Sequence, residues 1–333
     1  MWDSASRSGW WGEFCRKPKL LFQDAFSGMV EKDMRLNHRL RFGVGLLPNA
    51  SWKEIIRRFK YIEELGFDIT GTGDHFVDYS RLNDPWFELW TLLAAIAVET
   101  TSIRLGTYVT QIPFRSPALL ARQALNVDHI SNGRLELGLG TGIVTDPACE
   151  IMGIPNWSIK ERVARFKEYV EIVDQLLSHE ITSYKGHYYE IRRAVMNPRP
   201  IQKPRPPITI AALGSIMLKY AARYADTWNT YSTSNTFEEQ LDETRKRTQL
   251  VDKYCSDIGR APSSLRRSYL MYDVEARTRR GGMINYYESE KIFADRVQKL
   301  VDVGITEFII YYPFNEEQLP VFEKIAREVI PEL

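Results

Sequence analysis

The stretch RFGVGLLPNASWKEIIRRFKYIEELGFDITGTG, residues 41–73, decides the fold because it contains a strand, a helix and a second strand in succession. After the apolar segment 41–48, Ser51 and Glu54 have the spacing of a capping box, which opens a helix. Apolar side chains then recur at helical spacing, and Gly66 is a stop signal before the next apolar segment. The predicted buried stripe of this helix is Ile55, Ile56, Phe59, Ile62 and Leu65.

The same strand and helix unit recurs to the end of the chain. Ser158 and Glu161 repeat the capping-box spacing, and Asp84 and Pro85 have the order of a helix cap and a first helical residue. Eight nearly apolar strands, each followed by a helix, predict an α/β protein with a (β/α)8 TIM barrel. The other predicted strands are 67–73, 103–111, 134–142, 207–213, 225–231, 267–275 and 307–312, and the closing helix is 315–330.

Three segments depart from this rhythm. Residues 1–40 have no clear period and no signal-peptide pattern, so we expect a loosely ordered N-terminal extension, or sequence upstream of a start at Met34, before one barrel domain at 41–333. The proline- and tyrosine-rich segment 179–207, an insertion after the fourth helix, is expected to form a short hairpin and an extended connector outside the barrel. The segment 276–289 is predicted to be a long loop on the catalytic side.

Composition excludes several classes of function. With 44 basic and 43 acidic side chains, the net charge of +1 gives no field that would gather nucleic acid or a membrane surface. The three cysteines show no paired spacing for a disulfide framework or a zinc site, which favours a reducing cytoplasm. No apolar run reaches the roughly 18 residues that would span a bilayer. We therefore expect a small-molecule partner.

Candidate site residues lie where predicted strands end, since β/α barrels carry their active sites at the carboxyl ends of the strands. Asp74 and His75 follow the second strand, where a histidine could donate or accept a proton near neutral pH. The alternative is that Asp74 caps a loop and His75 satisfies backbone groups. Gly214 and Ser215 stand where the fifth strand gives way to a helix, whose free amides would suit an anion. No metal-ligand motif accompanies them, and we expect no metal.

The glycine run Gly138-Leu-Gly140-Thr-Gly142 resembles the nucleotide-binding turn of Rossmann methyltransferases. That alternative needs a helix directly after the turn. Pro147 and Pro155 interrupt the following segment, and three strand and helix units precede the motif. These features disfavour a methyltransferase.

Several stretches taken together in order resemble the luciferase-like oxidoreductase family, and the branch that uses the deazaflavin coenzyme F420 is the most similar. They are GDHF at 73–76, WTLLAAIAVETTSIRLGTYVTQIPFRSPALLARQALNVDHISNGRLELGLGTG at 90–142, GIP at 153–155, and the segments 184–214 and 221–229. The resemblance implies a barrel that binds coenzyme F420 or FMN across its mouth. It also implies a homodimer, although the sequence shows no interface.

The resemblance assigns roles to individual residues. His75 would be catalytic and move a proton during hydride transfer, and Asp74 would hold either the cofactor ring or the histidine. A cis peptide would join Tyr108 to Val109 behind the ring. The implied cofactor-binding residues are Asp74, Thr107, Tyr108, Val109, Gly140, Thr141, Gly142, Ala212, Gly214 and Ser215.

Two departures from the deazaflavin-dependent sugar-phosphate dehydrogenases bear on the substrate. Ile143 stands where those enzymes carry a glutamate, and Tyr79 stands where they carry a tryptophan. With Trp86 and Trp90 close in sequence, these residues favour a small and rather apolar organic substrate, although both tryptophans could simply pack against the second helix. We predict an oxidoreductase, either a hydride-transferring reductase or dehydrogenase or a monooxygenase. The alternative is a non-catalytic, flavin-binding barrel subunit.

Overall fold

The computed structural model describes residues 40–78, 81–271 and 284–333 of the chain. The strands in these ranges are β1 (Arg41–Gly45), β2 (Ile69–Thr72), β3 (Arg104–Thr107), β4 (Thr110–Gln111), β5 (Leu135–Gly140), β6 (Ile181–Lys185), β7 (Glu190–Val195), β8 (Ile208–Ala211), β9 (Thr227–Thr230), β10 (Arg266–Met271) and β11 (Glu307–Tyr311). The helices are α1 (Trp52–Glu64), α2 (Leu89–Glu99), α3 (Pro117–Ile130), α4 (Ala148–Ile151), α5 (Ile159–Ser178), α6 (Ser215–Tyr224), α7 (Phe237–Asp257), α8 (Glu290–Asp302) and α9 (Leu319–Lys324).

Eight parallel strands close into a barrel. Their order is β3, β2, β1, β11, β10, β9, β8 and β5, and the pairing of β5 with β3 completes the ring. Strand β4 continues β3 after a short interruption and also pairs with β5. The predicted (β/α)8 TIM barrel is confirmed. The Rossmann methyltransferase alternative is wrong, because that fold needs an open sheet.

Ion pairs fill the amino end of the barrel interior. Arg41 on β1 binds Glu136 on β5 at 2.8 Å and Glu307 on β11 at 2.6 Å, and Arg104 also binds Glu136. Because β1 and β5 are not neighbours in the ring, the bond between their side chains crosses the interior. Burial alone would raise the pKa of Glu136, but Arg41 and Arg104 hold it below its usual value. This charged layer occupies the amino end of the barrel interior, and a ligand site is therefore expected at the carboxyl end.

Both predicted capping boxes form only by half. Ser51 accepts a hydrogen bond from the Glu54 amide, but the Glu54 carboxylate binds Arg57 and Arg58 instead of the cap. At the start of α5, the carboxylate of Glu161 likewise turns to an arginine four residues on. A charged partner on the helix surface therefore competes with the backbone amide for each glutamate. The complete capping box in α7, formed by Thr236 and Glu239, was missed from sequence.

The helix predicted to open at Asp84 and Pro85 begins later, at Leu89. Its N-terminal cap is Glu88, whose carboxylate accepts hydrogen bonds from the Trp90 and Thr91 amides. Glutamate is not among the favoured capping residues, so the cap signal at Asp84 was the stronger one in sequence. The consequence is a longer loop between β2 and α2, which contributes to the site described below.

The insertion after the fourth barrel helix forms a hairpin, as predicted. Strands β6 and β7 pair antiparallel, and the guanidinium of Arg122 on α3 donates to the carbonyl oxygens of Val195 and Asn197 at the hairpin's exit. The predicted closing helix, 315–330, is present: it opens with a 3-10 turn at Glu316–Gln318, continues as α9 and widens into a π-helical turn at Ile325–Val329.

Several predictions fall on residues outside the described ranges. These are the N-terminal extension except for Leu40, most of the predicted loop 276–289, and Tyr79. The boundary between the extension and the barrel domain therefore stays a prediction. Across the described ranges, no helix is both long enough and apolar enough to cross a membrane.

Glu63 at the end of α1 clamps the loop before β3, and we expect its replacement by glutamine to destabilise the protein. Its Oε1 accepts hydrogen bonds from the amides of Thr101 at 2.9 Å, Ser102 at 2.7 Å and Ile103 at 3.0 Å. Burial opposes ionisation, but these amides lower the pKa of Glu63 to about 2. Because the side chain is partly solvated, we expect a loss of only about 1 kcal/mol in the free energy of unfolding at pH 7.

The pH dependence tests this clamp. A carboxylate with a lowered pKa stabilises the fold above its unfolded pKa of about 4.3, and that stability is lost as the pH falls toward the folded value. The difference between native protein and Glu63→Gln in urea unfolding should therefore shrink from pH 7 to pH 3. Glu64→Gln is the matched control, because Glu64 is exposed on the next position of the helix. An equal loss in both variants would contradict the clamp.

Candidate active site

His75 lies at the carboxyl end of β2 and is held by a buried carboxylate. Its Nδ1 is 2.6 Å from Oδ2 of Asp146, whose side chain is 1% exposed, whereas that of His75 is 16% exposed. Oδ1 of Asp146 accepts a hydrogen bond of 2.9 Å from the amide of Ala148. Burial alone would raise the pKa of Asp146, but the bonds from His75 and Ala148 hold it below its usual value. The imidazole therefore faces an ionised partner.

Gln111, at the end of β4, connects the loops that follow β2 and β5. Its side-chain Nε2 donates to the Asp74 carbonyl oxygen at 2.5 Å and to Oδ2 of Asp146 at 3.3 Å, and lies 3.4 Å from Nδ1 of His75. Its Oε1 accepts a bond of 3.2 Å from the amide of Ile143. One buried amide group thus ties the histidine, its carboxylate partner and the glycine-rich loop together.

Asp74 is a buried acid paired with a buried arginine. Arg115 binds both carboxylate oxygens, through Nη2 to Oδ1 at 2.9 Å and through Nη1 to Oδ2. The backbone amide of Gln111 also donates to Oδ2, at 2.9 Å. Burial would lower the pKa of Arg115, but Asp74 raises it. Asp74 was expected to hold either the cofactor ring or the histidine. In the structure the carboxylate bound to the histidine is that of Asp146.

The peptide bond between Tyr108 and Val109 is cis, as the sequence resemblance implied. It lies beside His75, since a Cβ placed on Gly73 would be 3.3 Å from both the Tyr108 carbonyl oxygen and Cδ2 of His75, and 3.5 Å from its Nε2. The Thr107 hydroxyl is taken up by the backbone of Gly138, to which it donates at 2.7 Å and from which it accepts at 2.8 Å. Thr107 therefore joins β3 to β5.

The loop after β5 needs its glycines. A Cβ on Gly140 would lie 2.5 Å from a methyl group of Val109, so the Val109 side chain packs closely against this strand. Gly142 has a φ of +80°, and a Cβ there would lie 2.5 Å from both Gln111 Oε1 and Arg162 Nη1. Arg162, buried in the core of this loop, donates to the Thr141 carbonyl oxygen at 3.1 Å. Gln111 and Arg162, which are outside the glycine-rich motif, therefore contact this loop and hold it in place.

The residues predicted near the fifth barrel strand divide into two groups. Ala212 is 2% exposed, and its backbone groups bond to Asn229 and Trp228 on β9. Gly214 and Ser215 are exposed at the start of α6. Gly214 is the N-terminal cap residue, and because it has no side chain it cannot cap the first-turn amides. The first-turn amides of this helix can therefore meet an anion.

The longer loop before α2 brings an aromatic side chain to the histidine. The Trp86 ring lies edge-on to the His75 ring, with centroids 5.9 Å apart, and its Nε1 donates to the His75 carbonyl oxygen at 2.8 Å. Trp90 is 3% exposed and belongs to the core. Ile143, in contrast, is 41% exposed on the neighbouring loop. Trp86 thus borders the histidine, Ile143 is bound through its amide to Gln111, and Trp90 packs in the core.

Sequence reasoning missed Gln111, Arg115, Asp146 and Arg162. Gln111 and Arg115 follow the third barrel strand, so their position at a strand end was a usable signal. Asp146 precedes a proline and reads as a turn residue, and Arg162 lies inside a helix, so neither carries a sequence signal for the site. Among the residues that the structure describes, we find no group of three or more acidic, histidine or cysteine side chains placed to hold a metal ion.

A family model for luciferase-like monooxygenase matches residues 34–272 of this chain. Among curated proteins, the F420-dependent glucose-6-phosphate dehydrogenase of Amycolatopsis mediterranei (strain U-32) is 34% identical over 167 residues, which is 49% of this chain and 49% of that protein. The 5,10-methylenetetrahydromethanopterin reductase of Archaeoglobus fulgidus is 25% identical over 88% of this chain and all of that protein. The chain spans about half the length of the dehydrogenases it matches.

Solved structures share the fold. The coenzyme F420-dependent tetrahydromethanopterin reductase from Methanopyrus kandleri superimposes with a TM-score of 0.72 at 20% identity, over 88% of this chain and 99% of that one. The monooxygenase RslO1 from Streptomyces bottropensis gives a TM-score of 0.70 at 24% identity, over 88% and 99%. At these identities the likeness concerns the barrel alone.

Proposed function

Because the chain belongs to the luciferase-like monooxygenase family, we propose that it is an oxidoreductase that uses coenzyme F420 or FMN on a small organic substrate. The observation that carries the proposal is the position of His75 at the mouth of the barrel, beside the cis peptide and bound to Asp146. A histidine so placed can exchange a proton with a substrate that gives or receives a hydride.

The residues around the mouth fit a flavin-type group. The Val109 side chain that follows the cis peptide packs against Gly140, which leaves no room for a side chain at position 140. Thr141 and Gly142 are half-buried beside it, and the exposed start of α6 supplies amides for a phosphate. In this proposal the coenzyme ring lies against Val109, Gly140, Thr141 and Gly142, and its phosphate lies against Gly214 and Ser215. When bound, the coenzyme supplies the hydride chemistry.

His75 supplies the proton chemistry in this proposal. With Nδ1–H donated to ionised Asp146, Nε2 is the ring nitrogen that can exchange a proton. It would accept a proton from a substrate hydroxyl during oxidation, or return one to a carbonyl oxygen during reduction. Asp74, whose carboxylate is bound by Arg115, acts in holding the loop. The coenzyme decides whether the enzyme is a hydride-transferring reductase or dehydrogenase on the one hand or a monooxygenase on the other.

A small, rather apolar substrate fits the side chains around His75 better than a sugar phosphate. Ile143 is 41% exposed and Phe76 is 49% exposed, and Trp86 lies beside the imidazole. Two arginines near the histidine are engaged by the protein, Arg115 with Asp74 and Arg162 with the Thr141 carbonyl oxygen. The role proposed for Tyr79 in the substrate pocket rests on sequence.

The cellular setting is part of the same proposal. Cys149 and Cys255 are buried and unpaired, which supports a reducing cytoplasm. The sequence resemblance supports a homodimer, which measurement of molar mass in solution would test.

We expect fluorescence titration of the purified protein with coenzyme F420 and with FMN to identify the coenzyme. Tight binding of F420 would make this a hydride-transferring reductase or dehydrogenase. Preference for FMN would point to a monooxygenase. Binding of neither would overturn the proposal.

Gly214→Asp sharpens this titration. A Cβ at Gly214 meets no atom within 4 Å, and aspartate is a favoured helix cap, so the variant should fold normally. Its negative charge at the start of α6 should nevertheless repel a phosphate and raise the coenzyme Kd by about tenfold or more. Thr236→Asp, which places the same charge at the cap of α7, is the matched control and should leave Kd unchanged. Equal affinities in both variants would remove Gly214 from the cofactor site.

A further inference from the structure

Asp146 is the buried acid that binds the imidazole of His75, at 2.6 Å, and it is outside the sequence motifs of the site. We propose that Asp146 is the positioning residue of the active site, which fixes the orientation and tautomer of His75 so that Nε2 performs the proton transfer. This inference rests on the proposed function for its catalytic meaning, whereas the tautomer itself is a property of the protein alone.

Geometry supports this assignment. An ionised carboxylate accepts hydrogen bonds only, so its bond to Nδ1 requires the proton on that nitrogen. A neutral histidine then has its lone pair on Nε2, the nitrogen on the side of Gly73 and the Tyr108 carbonyl oxygen. Rotating the ring by half a turn would break the bond to Asp146. The carboxylate therefore selects both one tautomer and one ring orientation.

Neighbouring bonds hold Asp146 itself in place. The Ala148 amide donates to Oδ1 at 2.9 Å, and Gln111 Nε2 donates to Oδ2 at 3.3 Å. The Trp86 ring lies edge-on against the imidazole and restrains its plane. Since the side chain of Asp146 is 1% exposed, water does not compete for its oxygens. The carboxylate is thus fixed from both sides before any ligand arrives.

The first test reads the tautomer without cofactor or substrate. In ¹⁵N NMR spectra of the full chain, recorded over a pH series that includes the neutral imidazole, we expect Nδ1 of neutral His75 to show the resonance of a protonated ring nitrogen and Nε2 that of an unprotonated one, assigned by their loss in His75→Ala. In Asp146→Asn both should move toward the average of the two tautomers. Asp84→Asn, which changes another acid in the loop between β2 and α2, is the control and should leave them unchanged. An unchanged spectrum in Asp146→Asn would overturn the inference.

The second test is kinetic. We expect Asp146→Asn to lower kcat by about tenfold to a hundredfold with little change in KM or coenzyme Kd, since orientation rather than binding is lost. Asp146→Ser is a second variant in case asparagine disturbs the loop, because a serine hydroxyl can still accept from the Ala148 amide but is too short to hold the imidazole. A changed tautomer with no activity in native protein would defeat the proposed function and leave the positioning role standing. A rise in KM or Kd with kcat unchanged would overturn the positioning role.

Discussion

Replacement of His75 with alanine is expected to lower turnover by about 10²- to 10⁴-fold, the range typical of a lost general acid or base. The imidazole is at the mouth of the barrel, bound at Nδ1 to Asp146, with Nε2 near the cis peptide. Alanine removes the proton-exchanging group and leaves the glycine-rich loop and the start of α6 intact. The coenzyme Kd should therefore change by less than about threefold.

Steady-state kinetics and coenzyme titration on the same preparations would measure these two effects. His187→Ala is the matched control, because this histidine is exposed on the hairpin formed by β6 and β7. A large loss of coenzyme affinity with little loss of turnover would make His75 a binding residue. Coenzyme binding without turnover in the native protein would support the non-catalytic barrel subunit.

The barrel was predictable from sequence because each of its units is specified locally. Apolar segments of strand length, helical stripes such as Ile55 and Phe59, and a stop at Gly66 recur along the chain. A parallel sheet is buried on both faces, and a closed barrel with helices around it buries both faces of every strand. The predicted start at Asp84 was wrong because the helix is capped four residues later, by Glu88. Its carboxylate accepts hydrogen bonds from the amides of Trp90 and Thr91. Local preferences thus predicted the elements better than their ends.

The site was predictable only where its residues follow a strand. His75 and Asp74 were singled out because they end the second barrel strand, but their partners are far away along the chain. Asp146 is 71 residues from His75, and Arg115 is 41 residues from Asp74. Such pairings depend on how loops cross above the barrel, which no local pattern encodes. For this reason the sequence indicated the acid next to the histidine, and the structure shows a different one bound to it.

Arg115→Met is expected to lower the free energy of unfolding by about 3 to 5 kcal/mol, which is the usual cost of leaving one member of a buried ion pair uncompensated. The side chains of Arg115 and Asp74 are 7% and 2% exposed, and the guanidinium binds both carboxylate oxygens. Methionine fills much of the same space, so the lost charge dominates. Urea unfolding at neutral pH would measure the change.

Two further variants separate the charge from the packing. Arg192→Met removes an exposed arginine that is paired with Glu190 on the hairpin, and should cost about 0 to 1 kcal/mol. Adding Asp74→Asn to Arg115→Met should restore part of the stability, because the uncompensated carboxylate is then gone. A loss no larger than that of Arg192→Met would contradict a buried pair.

Arg115→Met should also lower the catalytic rate. Asp74 accepts a bond from the Gln111 amide, and the Gln111 side chain bonds to Asp146, the partner of His75. When Arg115 no longer holds Asp74, this chain of bonds loses its fixed end, and the imidazole loses part of its orientation. We therefore expect Arg115→Met to lower kcat more than KM at temperatures where the protein remains folded. Unchanged kcat would confine the pair to a structural role.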